Sequence, residues 1–300
     1  MEKEKNYQKY IVYKNDLKFK KLRNIDPECA IWDTEDIRDT YYDDDLDTIK
    51  YRLRECRKSN FVYLDLSNLD LLEFPKLKKW KYYDKLKDLK FLFLNNNKLT
   101  KCDNSIEFFE KLEVLDISKN RITIISHFPE SLLEFVCHNN EIKEIPKHNN
   151  LLKLDCSFNK ITELYGFKNL RDLMCNNNRI EKIGSYDNIT RLVCTDNPIT
   201  VINTLNNVTH LDCSNTKMSG GINNMPKLTH FICNFTKIND VSNLNTLECL
   251  ETLNSGITKI PYISTLKVLL YREAQDISLA KQYKVVEYVK EHDNEYIRFE

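Results

Sequence analysis

Apolar positions recur along this chain with a long period. The block at residues 151–164, "LLKLDCSFNKITEL", is apolar at its first, fourth, sixth, eleventh and fourteenth positions: Leu151, Leu154, Cys156, Ile161 and Leu164. The next block repeats the arrangement with Leu170, Leu173, Cys175, Ile180 and Ile183. Blocks begin at Phe61, Leu89, Leu112, Leu132, Leu151, Leu170, Ile189, Val208, Leu228, Leu247 and Leu266. From Leu132 onward every step is 19 or 20 residues, whereas the first two steps are 28 and 23. A fixed period of this length is the mark of a repeat array. One copy cannot bury its own apolar face, so stacking of copies supplies the core.

Within a copy, positions three to seven predict a short strand, with the fourth and sixth side chains inward and the third, fifth and seventh outward. Strands of successive copies then pair in parallel. The ninth position is Asn97, Asn120, Asn140, Asn159, Asn178 and Asn197 in six consecutive copies, and then Thr216, Thr236 and Ser255. An Asn there can bond backbone groups of the turn that leaves the strand. A 19-residue copy leaves about eight residues for the return path, too few for an ordinary helix. The far side is therefore predicted to be extended or 3-10.

This pattern resembles the leucine-rich repeat, L-x-x-L-x-L-x-x-N-x-L, over residues 61–271. It is similar to the short-repeat class found in bacteria and in giant (mimivirus-like) DNA viruses, whose strands also read "LDCSxN". The resemblance implies an α/β-type solenoid with a curved parallel sheet on its concave face and polar caps at both ends. It also implies a non-enzymatic module that binds a protein partner on that face.

The flanks break the period. Residues 1–60 are expected to form an N-terminal capping region, in which "DLDTIKYRLRECRK" reads as a helix. Residues 33–47 carry Asp33, Glu35, Asp36, Asp39, Asp43, Asp44, Asp45 and Asp47 against a single Arg38, and read as a solvated acidic loop. They lack the alternation, Gly and closing Glu of a calcium loop. The insertion "PKLKKWKYYDKLKDL" at 75–89 reads as a basic amphipathic helix. At the other end, Ile277, Ala280, Tyr283, Val286 and Val289 stand at helical spacing, predicting a helical cap over 272–300.

Six copies place a cysteine at the sixth, inward position: Cys137, Cys156, Cys175, Cys194, Cys213 and Cys233. Stacked ~4.8 Å apart along a sheet, they form a straight ladder. Tetrahedral zinc needs four ligands converging on one point, which such a ladder does not provide. Disulfides are opposed by the parallel side chains and by the compartment argued below. Cysteine also packs as a small hydrophobe, and that is the role expected of this ladder.

Charge and composition narrow the partner. Lys plus Arg and Asp plus Glu are balanced at 45 each, so no overall field draws the chain to nucleic acid or to an anionic membrane. The N-terminal residues lack the apolar stretch of a signal peptide, and no apolar run approaches the ~18 residues of a membrane span. The ten cysteines are expected as thiols in the cytoplasm. No phosphate loop, hydrolase elbow, kinase signature, H-E-x-x-H or paired C-x-x-C is present, so neither an enzyme nor a cofactor is expected.

Candidate binding residues come from the outward positions. Val136, Phe158, Met174 and Val193 form an apolar centre bordered by Lys153, Asp172 and Arg191. His210, His230, Ile232 and Phe235 continue the surface in later copies. An apolar centre with a charged border is the anatomy of a protein-binding patch. Two other readings stand beside this one. His210, His230 and Cys249 share a column and carry metal-capable groups, which would suit a metal- or thiol-dependent enzyme. A structural, self-associating component, for instance of a virus particle, is the other.

Overall fold

The computed structural model describes residues 43–102, 104–223, 225–272, 285–291 and 294–299. The expectations for residues 1–42 and 273–284 lie outside the described residues.

A single 13-stranded sheet runs through the described chain. Its strands are Tyr63–Asp65, Phe91–Phe93, Val114–Asp116, Glu134–Val136, Lys153–Asp155, Asp172–Met174, Arg191–Val193, His210–Asp212, His230–Ile232, Cys249–Glu251 and Val268–Arg272, all parallel, followed by two antiparallel strands. Each parallel strand pairs with the equivalent residues of the next copy, as in Lys153↔Asp172 and Leu154↔Leu173. The repeat length fixes this register, because a slip would turn every inward Leu outward.

The inward column is fully buried: Leu154, Leu173, Leu192, Leu211 and Leu250 are at most 2 % exposed. The ladder cysteines stand beside it. Cys137, Cys156, Cys175, Cys194, Cys213 and Cys233 are each 0 % exposed and free. Burial pushes all six thiols well up from their ordinary range. A neutral thiol among leucines and isoleucines is apolar filling.

The ninth-position asparagines act as clamps between copies. The Asn178 amide donates to the carbonyls of Cys175 at 3.0 Å and of Cys156, one copy earlier, at 2.9 Å. Its Oδ1 accepts the Ile161 N–H at 3.0 Å. Asn97, Asn120, Asn140, Asn159 and Asn197 repeat the arrangement. The run ends at Thr216 and Thr236, whose hydroxyls donate only to the carbonyls of Cys213 and Cys233 in their own copies.

The far side is extended, as its length requires. Short pairs such as Lys101–Cys102 with Ile124–Ile125, and Lys182–Ile183 with Val201–Ile202, alternate with turns. Here the insertion departs from expectation. Residues 75–89 form two 3-10 turns, Leu77–Lys79 and Tyr83–Asp88, and not an amphipathic helix. Leu77, Trp80, Leu86 and Leu89 are buried, so the segment anchors through apolar residues spaced for separate turns.

Both ends carry non-repeat elements. The Asp43–Lys58 helix buries Ile49, Leu53 and Cys56 and packs beside the first strand, where Arg52 pairs with Asp65 at 3.1 Å. The last part of the expected acidic loop, residues 43–47, is thus helical. At the other end the helix expected through Val286 and Val289 is replaced by strands. Asn294–Phe299 pairs antiparallel with Val268–Arg272, and Val285–Glu291 pairs with Asn294–Phe299. "VVEYVKE" and "NEYIRF" are rich in β-branched and aromatic residues, whose packing suits a sheet.

Candidate functional site

Outward side chains stand in columns set by the strand register. The third-position column runs Glu134, Lys153, Asp172, Arg191, His210, His230 and Cys249, each opposite the next. Its charges alternate in sign over the first four. Lys153 Nζ lies 3.1 Å from Glu134 Oε1, and Glu134 is itself buried. Asp172 is half-buried, and its Oδ1 has no hydrogen-bond partner. Burial raises the Asp172 carboxyl above the usual range, while Arg191 and Lys153 partly offset that effect.

The fifth-position column reads Val136, Asp155, Met174, Val193, Asp212, Ile232 and Glu251. Met174 and Val193 are adjacent and half-buried, with exposed Arg191 beside them. Asp155 separates Met174 from Val136, and Asp212 separates Val193 from Ile232. Val136 departs from its expected place in an open patch: it is 8 % exposed, and its neighbour Asp116 is 7 % exposed. After the buried outward positions of Val114–Asp116 and Glu134–Val136, the face opens again at the Lys153–Asp155 strand.

His210 and His230 lie face to face, ring centroids 4.2 Å apart and 11° from parallel. Each Nδ1 sits 2.9 Å from the hydroxyl of the preceding Thr209 or Thr229. Parallel rings held edge-on to threonines do not converge on a common ion. Among the described residues no three His, Cys, Asp or Glu side chains group as metal ligands. Burial, then His230 and Arg191, hold the His210 imidazole below its usual range.

Phe158 and Phe235 occupy the eighth position, on the rim at the carboxyl ends of the strands, and are 49 % and 59 % exposed. The backbone there is left-handed in every copy from Asn68 to Asn254. The residues are Asn68, Asn96, Lys119, Asn139, Phe158, Asn177, Asp196, Asn215, Phe235 and Asn254, with φ between 52° and 61°. Asn and Asp tolerate that region, whereas a bulky residue is an outlier there. Around Phe235 the rim opens into a cleft of about 650 Å³ lined by Thr216, Lys217, Phe235, Thr236, Lys237 and Asn254. Lys217 and Lys237 were not among the residues expected from sequence. Their signal lies at the tenth position of two consecutive copies, where Asn gives way to Thr just before it.

No family model matches the sequence, and no curated protein matches it either. Solved structures do match in shape. The functional domain of InlJ from Listeria monocytogenes, described as including a cysteine ladder, shares 23% identity over 74% of this chain with a TM-score of 0.58. This chain spans 55% of that one. YopM, described as a leucine-rich effector protein from Yersinia pestis, gives a TM-score of 0.63 at 20% identity, covering 76% of this chain and 70% of its own. The leucine-rich repeat domain of LRIM1 gives 0.54 at 19% identity, covering 70% and 72%. The described chain thus has the fold of a leucine-rich repeat solenoid, a long parallel sheet backed by extended and 3-10 segments.

Proposed function

We propose that this protein is a non-enzymatic interaction module that binds a partner protein on the concave face of its sheet. The observation that carries this reading is the open column Lys153, Asp172 and Arg191 lying beside the in-register pair Met174 and Val193. Charge alternates along one column while apolar surface fills the next. The paired strands hold these groups in place, which lowers the ordering cost of binding. Phe158, His210, His230, Ile232 and Phe235 extend the surface along later strands and the rim.

A cytoplasmic setting goes with this reading, since the nine described cysteines are all free. No described helix is long and apolar enough to cross a membrane. The balance of 45 cationic and 45 anionic residues supports a protein partner over nucleic acid.

The test is affinity capture with wild type and with a Phe158→Asp, Met174→Asp, Val193→Asp variant shown by circular dichroism to remain folded. A partner retained by wild type and lost by the variant supports the reading. A partner retained equally by both moves binding away from this face. Self-association by sedimentation, with no other protein captured, would favour a structural component instead.

A further inference from the structure

The tenth position carries a cation in several copies, and its pairing differs along the chain. Lys98 pairs with Asp70 at 3.1 Å, and Lys160 with Glu141 at 2.8 Å. Lys217 and Lys237, on neighbouring copies, are exposed, and neither ammonium group has an ion-pair or hydrogen-bond partner among the described residues.

Between these lysines Phe235 projects, 59 % exposed, from a backbone with φ 55°. Asn215 and Asn254 hold the same conformation in the flanking copies with the residue type that suits it. Phe235 therefore maintains an aromatic surface at a conformational cost that Asn would avoid, and strain of this kind concentrates at functional sites. The asparagine clamp is also missing at this place. Thr216 and Thr236 bond only within their own copies, which leaves the 650 Å³ cleft open between the two lysines.

We propose that the cleft between Lys217 and Lys237 binds an acidic, apolar segment of a partner protein. A carboxylate meets the two ammonium groups, and an adjacent apolar side chain packs on Phe235. A phosphate-rich ligand is less well served, because it would leave the exposed Phe235 ring without an apolar contact. This inference rests on the reading of the protein as an interaction module and adds the chemistry of one contact.

The experiment is fluorescence anisotropy on the full chain with three labelled octapeptides: one alternating glutamate with leucine, one alternating glutamate with serine, and one alternating glutamine with leucine. The glutamate–leucine peptide is expected to bind at least roughly tenfold more tightly than either control. Phe235→Asn and the double variant Lys217→Glu, Lys237→Glu should each weaken it by about tenfold or more. Phe235→Asn relieves an outlier, so its loss of binding cannot be assigned to unfolding. Equal binding by wild type and both variants would overturn the assignment. So would equal binding of the serine control with competition by inorganic phosphate, which would mark a general anion site, and so would no binding to wild type. A partner captured through Met174 and Val193 but indifferent to Phe235→Asn would sink the cleft while leaving the interaction module standing.

Discussion

The imidazoles of His210 and His230 stack 4.2 Å apart on neighbouring strands, each with its Nδ1 beside a threonine hydroxyl. Two rings so placed are compatible while at least one is neutral. His210 is held below the ordinary histidine range, first by burial and then by His230 and Arg191. Its protonation is thus easier in the unfolded chain. The unfolded state binds more protons between the depressed folded value and the unfolded value of about 6.5, so stability falls as pH drops through that window. Urea midpoints measured between about pH 7.5 and about pH 5 should decline for wild type and decline less for His210→Gln. Equal declines would remove His210 as the cause.

Asp172 works in the opposite direction. Its carboxyl is raised, chiefly by burial, so the folded chain holds that proton more tightly than the unfolded one. Stability from this group is present below the ordinary carboxylate range and is lost as pH rises through the raised value. Asp172→Asn should therefore gain stability relative to wild type near neutral pH, with the advantage vanishing in acid. A constant difference at all pH values would show that ionisation is not involved.

The asparagine clamps predict a stability asymmetry. Asn178→Ala removes four side-chain bonds, one of them long at 3.3 Å, and leaves the Ile161 N–H and the Cys156 carbonyl without that partner. The expected loss is about 3 kcal/mol by urea denaturation. The reverse change, Thr216→Asn, can restore a bond to the preceding copy and should add about 1 kcal/mol. A loss under about 0.5 kcal/mol for Asn178→Ala would mean that water replaces the clamp.

Phe158 stands at φ 55° in a position otherwise filled mostly by Asn. Phe158→Asn should raise the unfolding free energy by roughly 1 kcal/mol, while weakening capture of the partner. Destabilisation by this substitution would show that the ring packs productively against its own chain.

The ladder thiols should be silent. In native protein an aromatic disulfide reagent is expected to titrate Cys249, which is half-buried, and to leave Cys137, Cys156, Cys175, Cys194, Cys213 and Cys233 untouched until denaturant is added. Rapid native labelling of the six would contradict their packing role.

Much of this architecture is legible in the order of residues. Leu154, Cys156 and Ile161 are inward because their spacing repeats from copy to copy, and every copy constrains its neighbours. Phe158 and Phe235 stand out for the same reason, as departures from Asn in a repeated position. What escaped detection depends on contacts between distant segments or on ambiguous periods. Val286 and Val289 satisfy helical spacing, yet they lie in a run whose β-branched content suits a strand, and a short run cannot decide between the two. The insertion at 75–89 likewise reads as one amphipathic helix, but Leu77 and Leu86 belong to separate 3-10 turns. Val136 has the pattern of an outward residue, and its burial is invisible to local periodicity. The His210–His230 stack follows from register, which gives adjacency, but ring orientation depends on Thr209 and Thr229.

The change of strand direction after Val268–Arg272 has a consequence for how such a chain can lengthen. A further copy would have to pair with the free side of Val268–Arg272, and that side is occupied by the antiparallel Asn294–Phe299. Duplication of a 19- or 20-residue unit can therefore be accommodated only upstream of Val268, where each copy meets two like neighbours. The hairpin works as a terminator of the parallel stack, so the length of the parallel sheet is altered by inserting copies upstream of it.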